Sequence, residues 1–289
     1  MSTPRTALVT GSTDGIGKAT ALALARAGLH VIVHGRSRPR VDRAIAELSA
    51  EVPGAQLDGV SFDLGSLASV RKGAAEVAAR APALHVLVNN AGIFAAERGL
   101  TGDGIETTLA VNHVGPYLLT HLLTPQLEAG APARVIILSS IAHTRGRIHM
   151  DDLMLERAYS GYAAYAQSKL ANVMHALDLA ARHDPARIAV YCLHPGVIST
   201  KLLREGFGPV RGASTAQGAA MAIQLATAEQ IDEPSGTYWS EGQVAPVSPA
   251  ALDASVRDAL RAATERLAGI GDAAAPGADA ARDAARGGT

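Results

Sequence analysis

The chain has 289 residues, 48% of them hydrophobic and only 3% aromatic, with a formal net charge of −1. Such a balance offers no electrostatic attraction to nucleic acid or to an anionic membrane, and it implies a core of Ala, Val, Leu and Ile. The single cysteine, Cys192, excludes an internal disulfide, fits a reducing compartment and reads as a buried thiol in the apolar run VYCLHPG.

MSTPR leads directly into a strand-like segment, with no signal-peptide pattern. No apolar stretch reaches the roughly 18 residues of a spanning helix, so a cytoplasmic protein without a membrane anchor is expected. Short apolar runs predict seven strands: Thr6–Thr10, His30–His34, Gln56–Phe62, His85–Asn89, Arg134–Ser139, Ile188–Leu193 and Thr237–Trp239. Helical patterns fall between them at Ile16–Ala27, Pro39–Glu51, Leu67–Arg80, Gly104–Leu123, Ala164–Arg182 and Thr215–Ala226. Strict alternation of this kind predicts an α/β fold with right-handed crossovers and a parallel sheet. One domain is expected over residues 1–267. The Ala/Gly-rich stretch 268–289 is expected to be a mostly disordered tail, because it has too little apolar surface to offset its ordering entropy.

The first strand ends in TGSTDGIG, Thr10 to Gly17, and a helical pattern starts at once. Gly11, Gly15 and Gly17 suit a tight turn, a close approach of backbone to a pyrophosphate and close helix–strand contact. The helix start adds free N–H groups and a positive dipole end. The competing reading is a strand–helix junction that merely needs glycine. At the end of the second strand an NAD-preferring enzyme usually carries an acidic residue. This chain has Gly35 and Arg36 there, followed by Arg38 and Arg40, and guanidinium groups suit a ribose 2′-phosphate. NADP(H) is therefore the expected cofactor, with NAD(H) possible; Asp14 adds opposing negative charge in the turn, and a solvated arginine loop is the alternative.

Tyr165-Ala-Gln-Ser-Lys169 places a phenol and an ammonium on one helix face. A neighbouring cation is expected to lower the phenol's pKa from its free value near 10, so that Tyr165 can exchange a proton with a substrate oxygen. Ser139 and Ser140 end the fifth strand, where a hydroxyl faces the ligand crevice of a parallel sheet; a simple cap for the next segment is the other reading. Asn112 lies four residues before Pro116, which lacks the N–H that the Asn112 carbonyl would otherwise bond. That carbonyl could hold an ordered water, or the site could be a plain packing kink.

TGSTDGIG, NNAG, Asn112, Ser140, Tyr165-x-x-x-Lys169 and His194-Pro195-Gly196 occur in the order seen in the short-chain dehydrogenase/reductase family, which the chain resembles over Thr6 to Leu267. The resemblance implies a Rossmann-type doubly wound domain with helices on both faces of a mostly parallel, seven-stranded sheet. It implies Tyr165 as acid/base, Lys169 as ribose anchor, Ser140 as substrate orienter and Asn112 as holder of a water. It also implies cofactor contacts from Gly11, Ser12, Thr13, Asp14, Gly15, Ile16 and Gly17, from Arg36, and from Asp63 and Leu64 beside adenine. Asn90, Ala91 and Gly92 would line the ribose, with Tyr165 and Lys169 nearby; Pro195, Ile198 and Thr200 would lie toward the carboxamide. VNHVGPYLLT, GRIHMDDL, YAQSKLAN and HPGVIST resemble the branch of retinol dehydrogenases, WW-domain oxidoreductase and protochlorophyllide reductase.

The expected function is thus hydride transfer between NADP(H) and a carbonyl or secondary alcohol of a small hydrophobic substrate. The alternatives are a conjugated C=C reductase and a non-catalytic dinucleotide-binding regulator. Leu202–Gly212, with three glycines and a proline, is expected to be a mobile lid rather than a fixed helix. The 10 histidines are scattered, with no HExxH and no Cys/His cluster, so no metal is expected. Among them, His113, His143 and His194 lie near the expected crevice. The partner is a small molecule, and the protein is expected to be a monomer or homodimer.

Overall fold

The computed structural model describes residues 4–208 and 210–270. All seven expected strands form: β1 (Thr6–Val9), β2 (His30–Gly35), β3 (Leu57–Ser61), β4 (Val86–Asn89), β5 (Ala133–Leu138), β6 (Ile188–His194) and β7 (Tyr238–Ser240). They lie side by side in the order β3-β2-β1-β4-β5-β6-β7, all parallel. An eighth strand, β8 (Gln243–Val244), adds to the expected seven and pairs antiparallel with β7. Glu241 and Gly242 both have positive φ, 51° and 80°, as a two-residue hairpin of the favoured twist requires. Glu-Gly lacks the Asn or Asp that makes such a turn conspicuous.

Helices α1 (Gly15–Arg26), α2 (Arg38–Glu51) and α3 (Leu67–Arg80) follow the first three strands. Successive strand residues face opposite sides of the sheet. Ala7, Val9, Val31, Val33, Val86 and Val88 pack one core with α1 and α2. Leu8, Ile32, Val60, Leu87, Val135 and Ile137 pack the other, where α3 contributes Val70 and Val77. Burial on both faces explains the nearly unbroken aliphatic runs.

The single helix expected at Gly104–Leu123 is three pieces. Glu106 caps α4 (Thr107–Leu109) by accepting from the Thr108 and Leu109 amides at 2.8 and 2.7 Å. A π-turn at Ala110–Val114 then leads into α5 (Gly115–Ala129). Pro116 cannot donate to the Asn112 carbonyl, and the wider turn absorbs that missing bond. Helix α6 (Gly161–Arg182) carries Tyr165 and Lys169.

The expected lid is partly helical. Helix α7 (Lys201–Phe207) is capped by the Thr200 hydroxyl, braced by a Lys201–Glu205 pair one turn apart, and ended by Gly208 at φ 76°. The loop beyond is anchored at Ala213, which exchanges backbone hydrogen bonds with Val197 and Ser199. Helices α8 (Thr215–Thr227), α9 (Pro249–Leu252) and α10 (Ala254–Leu267) complete the domain. Packed chain extends past the expected boundary to Ile270, which touches the core, while Arg71 donates to the Ala268 and Gly269 carbonyls at 2.7 and 3.1 Å. The rest of the expected tail, 271–289, lies outside the described residues. Among those residues no helix is long and apolar enough to cross a membrane.

Strand order reverses between β1 and β4, so the loops after these strands diverge and open a crevice at their carboxyl ends. The candidate site lies there.

Candidate active site

A cavity of about 640 Å³ occupies this crevice, running from Arg36 and Arg40 at one end to Tyr165 and α7 at the other. Its floor is the turn after β1. Thr10 organises that turn: its hydroxyl accepts from the Asn90 and Ala91 amides at 2.9 and 3.0 Å, and the Asn90 side chain donates to its carbonyl at 2.7 Å. Gly11 has φ 65°, and a Cβ on it would lie 3.0 Å from Ala91. A Cβ on Gly17 would collide with the Gly11 carbonyl and the Asn90 side chain. Asp14 caps α1, accepting from the Gly15 amide at 2.7 Å. Glycine backbone facing an open cleft at a helix N-terminus fits a dinucleotide pyrophosphate.

Nearly every residue expected at the cofactor lines this cavity: Gly11, Thr13, Asp14, Gly15, Ile16, Gly17, Arg36, Asp63, Leu64, Asn90, Ala91, Gly92, Tyr165, Lys169, Pro195, Ile198 and Thr200. Ser12 does not. It is fully buried, donates to the Val9 carbonyl at 2.7 Å and accepts from the His34 amide at 2.9 Å, so it ties the turn to β2 instead.

His34 was missed as a member of the site. It is buried, and its Nδ1 accepts from the Gly11 amide at 3.0 Å, which places the proton on Nε2, 3.0 Å from the Phe62 carbonyl. Burial pushes its pKa down to about 4, so the ring is a neutral brace between the glycine turn and the Asp63 loop. The only signal in the sequence is a histidine inside an apolar strand.

At the other end, Ser140, Tyr165, Lys169 and Asn112 come together. The Ser139 hydroxyl turns away, donating to the Lys169 carbonyl at 2.7 Å, and leaves Ser140 to the cleft. The Ser140 hydroxyl accepts from the Ala142 amide at 3.2 Å and also hydrogen-bonds Tyr165. Lys169 Nζ lies 5.5 Å from the Tyr165 ring centroid and donates to the Leu138 carbonyl at 3.1 Å. The Asn112 side chain makes three hydrogen bonds. It accepts from the Ile93 amide at 2.8 Å and donates to the Ile93 carbonyl and to Ser168 Oγ, both at 3.0 Å. Asn112 itself is buried behind the cavity wall, and a Cβ on Gly92 would lie 3.4 Å from both its Oδ1 and Lys169 Nζ. Of the three histidines, His194 lines the cavity, whereas His113 and His143 are buried and do not.

The expected lowering of the Tyr165 pKa is not what the chain's own groups produce. Burial is the largest influence and pushes the phenol up to about 12, against the pull of the Ser140 hydrogen bond. Burial also drives Lys169 down from 10.5 to about 8. Below a pH of about 8 the native state therefore carries a desolvated ammonium; stability rises as pH climbs from about 8 toward 10.5, where the unfolded chain holds more protons. Lys169→Met is accordingly expected to raise folding stability at neutral pH, by on the order of 1–3 kcal/mol, measured by denaturant titration. The Leu138 carbonyl would keep a donor, the Asn172 amide at 3.3 Å.

The chain belongs to the short-chain dehydrogenase family, whose model matches residues 5–207. It is 40% identical to bovine dehydrogenase/reductase SDR family member 13, over 96% of this chain and 76% of that one. It is 38% identical to bovine retinol dehydrogenase 12, over 91% of this chain and 86% of that one. The crystal structure of an uncharacterised protein from Mycobacterium paratuberculosis superposes with a TM-score of 0.76 at 33% identity, covering 92% and 94% of the two chains. Gluconate 5-dehydrogenase from Burkholderia cenocepacia, solved with NADP and tartrate, gives 0.66 at 25% identity, covering 82% and 92%. The protein is an NAD(P)-dependent oxidoreductase of the class acting on CH–OH and C=O groups.

Proposed function

We propose that this enzyme prefers NADP(H) and reduces the carbonyl of a small hydrophobic substrate, with Tyr165 as general acid. The observation that carries the reading is one continuous cavity with free guanidinium groups at one end and the Ser140–Tyr165–Lys169 cluster at the other. A bound nicotinamide supplies the hydride. Ser140 holds the substrate oxygen by a hydrogen bond as negative charge gathers on it. Tyr165, kept protonated by burial, is suited to deliver a proton to that oxygen, the reductive direction. Lys169 holds positive charge beside the phenol, and Asn112 fixes the Ile93 backbone next to it.

The walls beyond Tyr165 favour an apolar substrate. Ala142, Leu202, Leu203 and Val210 line the cavity there, with Ile141 and Tyr162 at its exposed mouth, while Phe94 backs the Tyr165 ring at 5.9 Å. Loss of NADPH absorbance with a panel of aldehydes and ketones of increasing apolar size tests the reading. Turnover should favour the larger apolar members. Absence of turnover across the carbonyls, and across secondary alcohols with NADP, would overturn it.

A further inference from the structure

His143 is buried completely, directly behind Ser140, and takes no part in the chemistry described above. It lies on the 3-10 turn Ile141–Arg145, whose N-cap is Ser140. The Ser248 amide, which can only donate, sits 3.3 Å from its Nε2. Nε2 is therefore the acceptor, and the proton of the neutral ring resides on Nδ1, 2.8 Å from the Ser140 carbonyl. Burial lowers the pKa of His143, which favours that neutral form. Tyr238 of β7 packs on the ring, with centroids 4.8 Å apart, and its hydroxyl lies 3.4 Å from Nδ1. The ring thus has one orientation and one tautomer available to it.

The consequence falls on Ser140. Its carbonyl receives two donors from the same residue, the His143 amide at 3.1 Å and the Nδ1–H at 2.8 Å. With that peptide plane held from behind and the Oγ held by the Ala142 amide, the hydroxyl has little freedom to turn from Tyr165. We infer that His143 is a positioning residue: it fixes the Ser140 peptide, and through it aims the hydroxyl that holds the substrate oxygen, while Ser248 and β7 hold His143 in place. This rests on the proposed role of Ser140. It links the C-terminal segment that contains Ser248 to the reacting centre without any direct contact with substrate.

Two substitutions separate the ends of this strut. In His143→Asn the side-chain amide lies near the position of Nδ1 and can still donate to the Ser140 carbonyl. In His143→Gln the longer amide reaches toward Ser248 and gives up the Ser140 end. His143→Gln is expected to lower kcat about tenfold with the NADPH KM unchanged, since a small misplacement of an orienting group is costly. His143→Asn should recover most of that loss. In a Ser140→Ala background the Gln substitution should cost less than about twofold, because the group it aims has gone. Equal losses in both backgrounds, or an Asn variant no better than Gln, would show a merely structural role and overturn the inference. Nitrogen-15 spectra of the wild-type imidazole give an independent reading: the proton is expected on Nδ1, and finding it on Nε2 sinks the idea whatever the kinetics. NADPH-binding stoichiometry corrects each rate for folded protein. A wild type without turnover would remove the proposed function and this inference together, whereas normal turnover with additive losses would remove the inference alone.

Discussion

Tyr165→Phe is expected to lower kcat by about a thousandfold, in the middle of the range for a positioned proton donor, while leaving NADPH affinity within about threefold. The substitution is clean because the ring is held by contacts that phenylalanine keeps: Phe94 on one side, with Ala142, Ala166 and Leu202 completing the cluster. What is lost is the hydroxyl that bonds Ser140 and faces the cavity. A desolvated phenol also costs something to bury, so folding stability should not fall. Single-turnover NADPH oxidation and fluorescence titration of the cofactor separate the two effects. Turnover that survives the loss of the hydroxyl would remove Tyr165 from the chemistry, and a parallel collapse of NADPH binding would recast it as a binding group.

Much of the framework can be read from the chain because both faces of the sheet are buried. Strands such as Val31–Val33 and Val135–Leu138 need no alternation, and glycine or polar residues bound each run sharply. The Tyr165/Lys169 pair is equally legible, since helical periodicity alone places the two on one face. Features that depend on distant partners are not. Ser139 and Ser140 are indistinguishable by type and differ only in which of them meets the Lys169 carbonyl, 30 residues on. His34 looks like a stray strand histidine and His143 like a satisfied histidine near the crevice until the Gly11 amide and the Ser140 carbonyl are brought beside them. Helix α7 has local signals in its Thr200 cap and Lys201–Glu205 pair, but the glycines and proline that follow argue for a loop. The π-turn at Asn112 lies between these cases: Pro116 marks the break in the ladder, but the clamp on Ile93 needs the loop after β4.

Of the three arginines after β2, two face the cavity and one is engaged elsewhere. Arg38 opens α2 and is already engaged, donating to the Gly59 carbonyl at 3.1 Å and pairing with Asp42 at 2.7 Å. Arg36 and Arg40 line the cavity, and no guanidinium bond to them forms among the described residues. No acidic residue stands at Gly35 or Arg36, where one would hold a ribose 2′-hydroxyl, and a Cβ at Gly35 would press on the Thr13 methyl at 2.6 Å. Arg36 and Arg40 thus present two charges suited to a 2′-phosphate, in keeping with the proposed NADP(H) preference. Arg36→Ala and Arg40→Ala are each expected to raise the NADPH KM about tenfold, the loss of a charge-assisted hydrogen bond of roughly 1.4 kcal/mol, with the double variant near a hundredfold. The NADH KM should move less than about threefold, so selectivity collapses through the phosphate alone. Wild-type NADPH affinity should weaken with added salt, as a contact between exposed charges does, and that sensitivity should shrink in the double variant. A wild type that uses NADH as well as NADPH, or variants that lose both cofactors equally, would show these arginines to be solvated and the selectivity to lie elsewhere in the crevice.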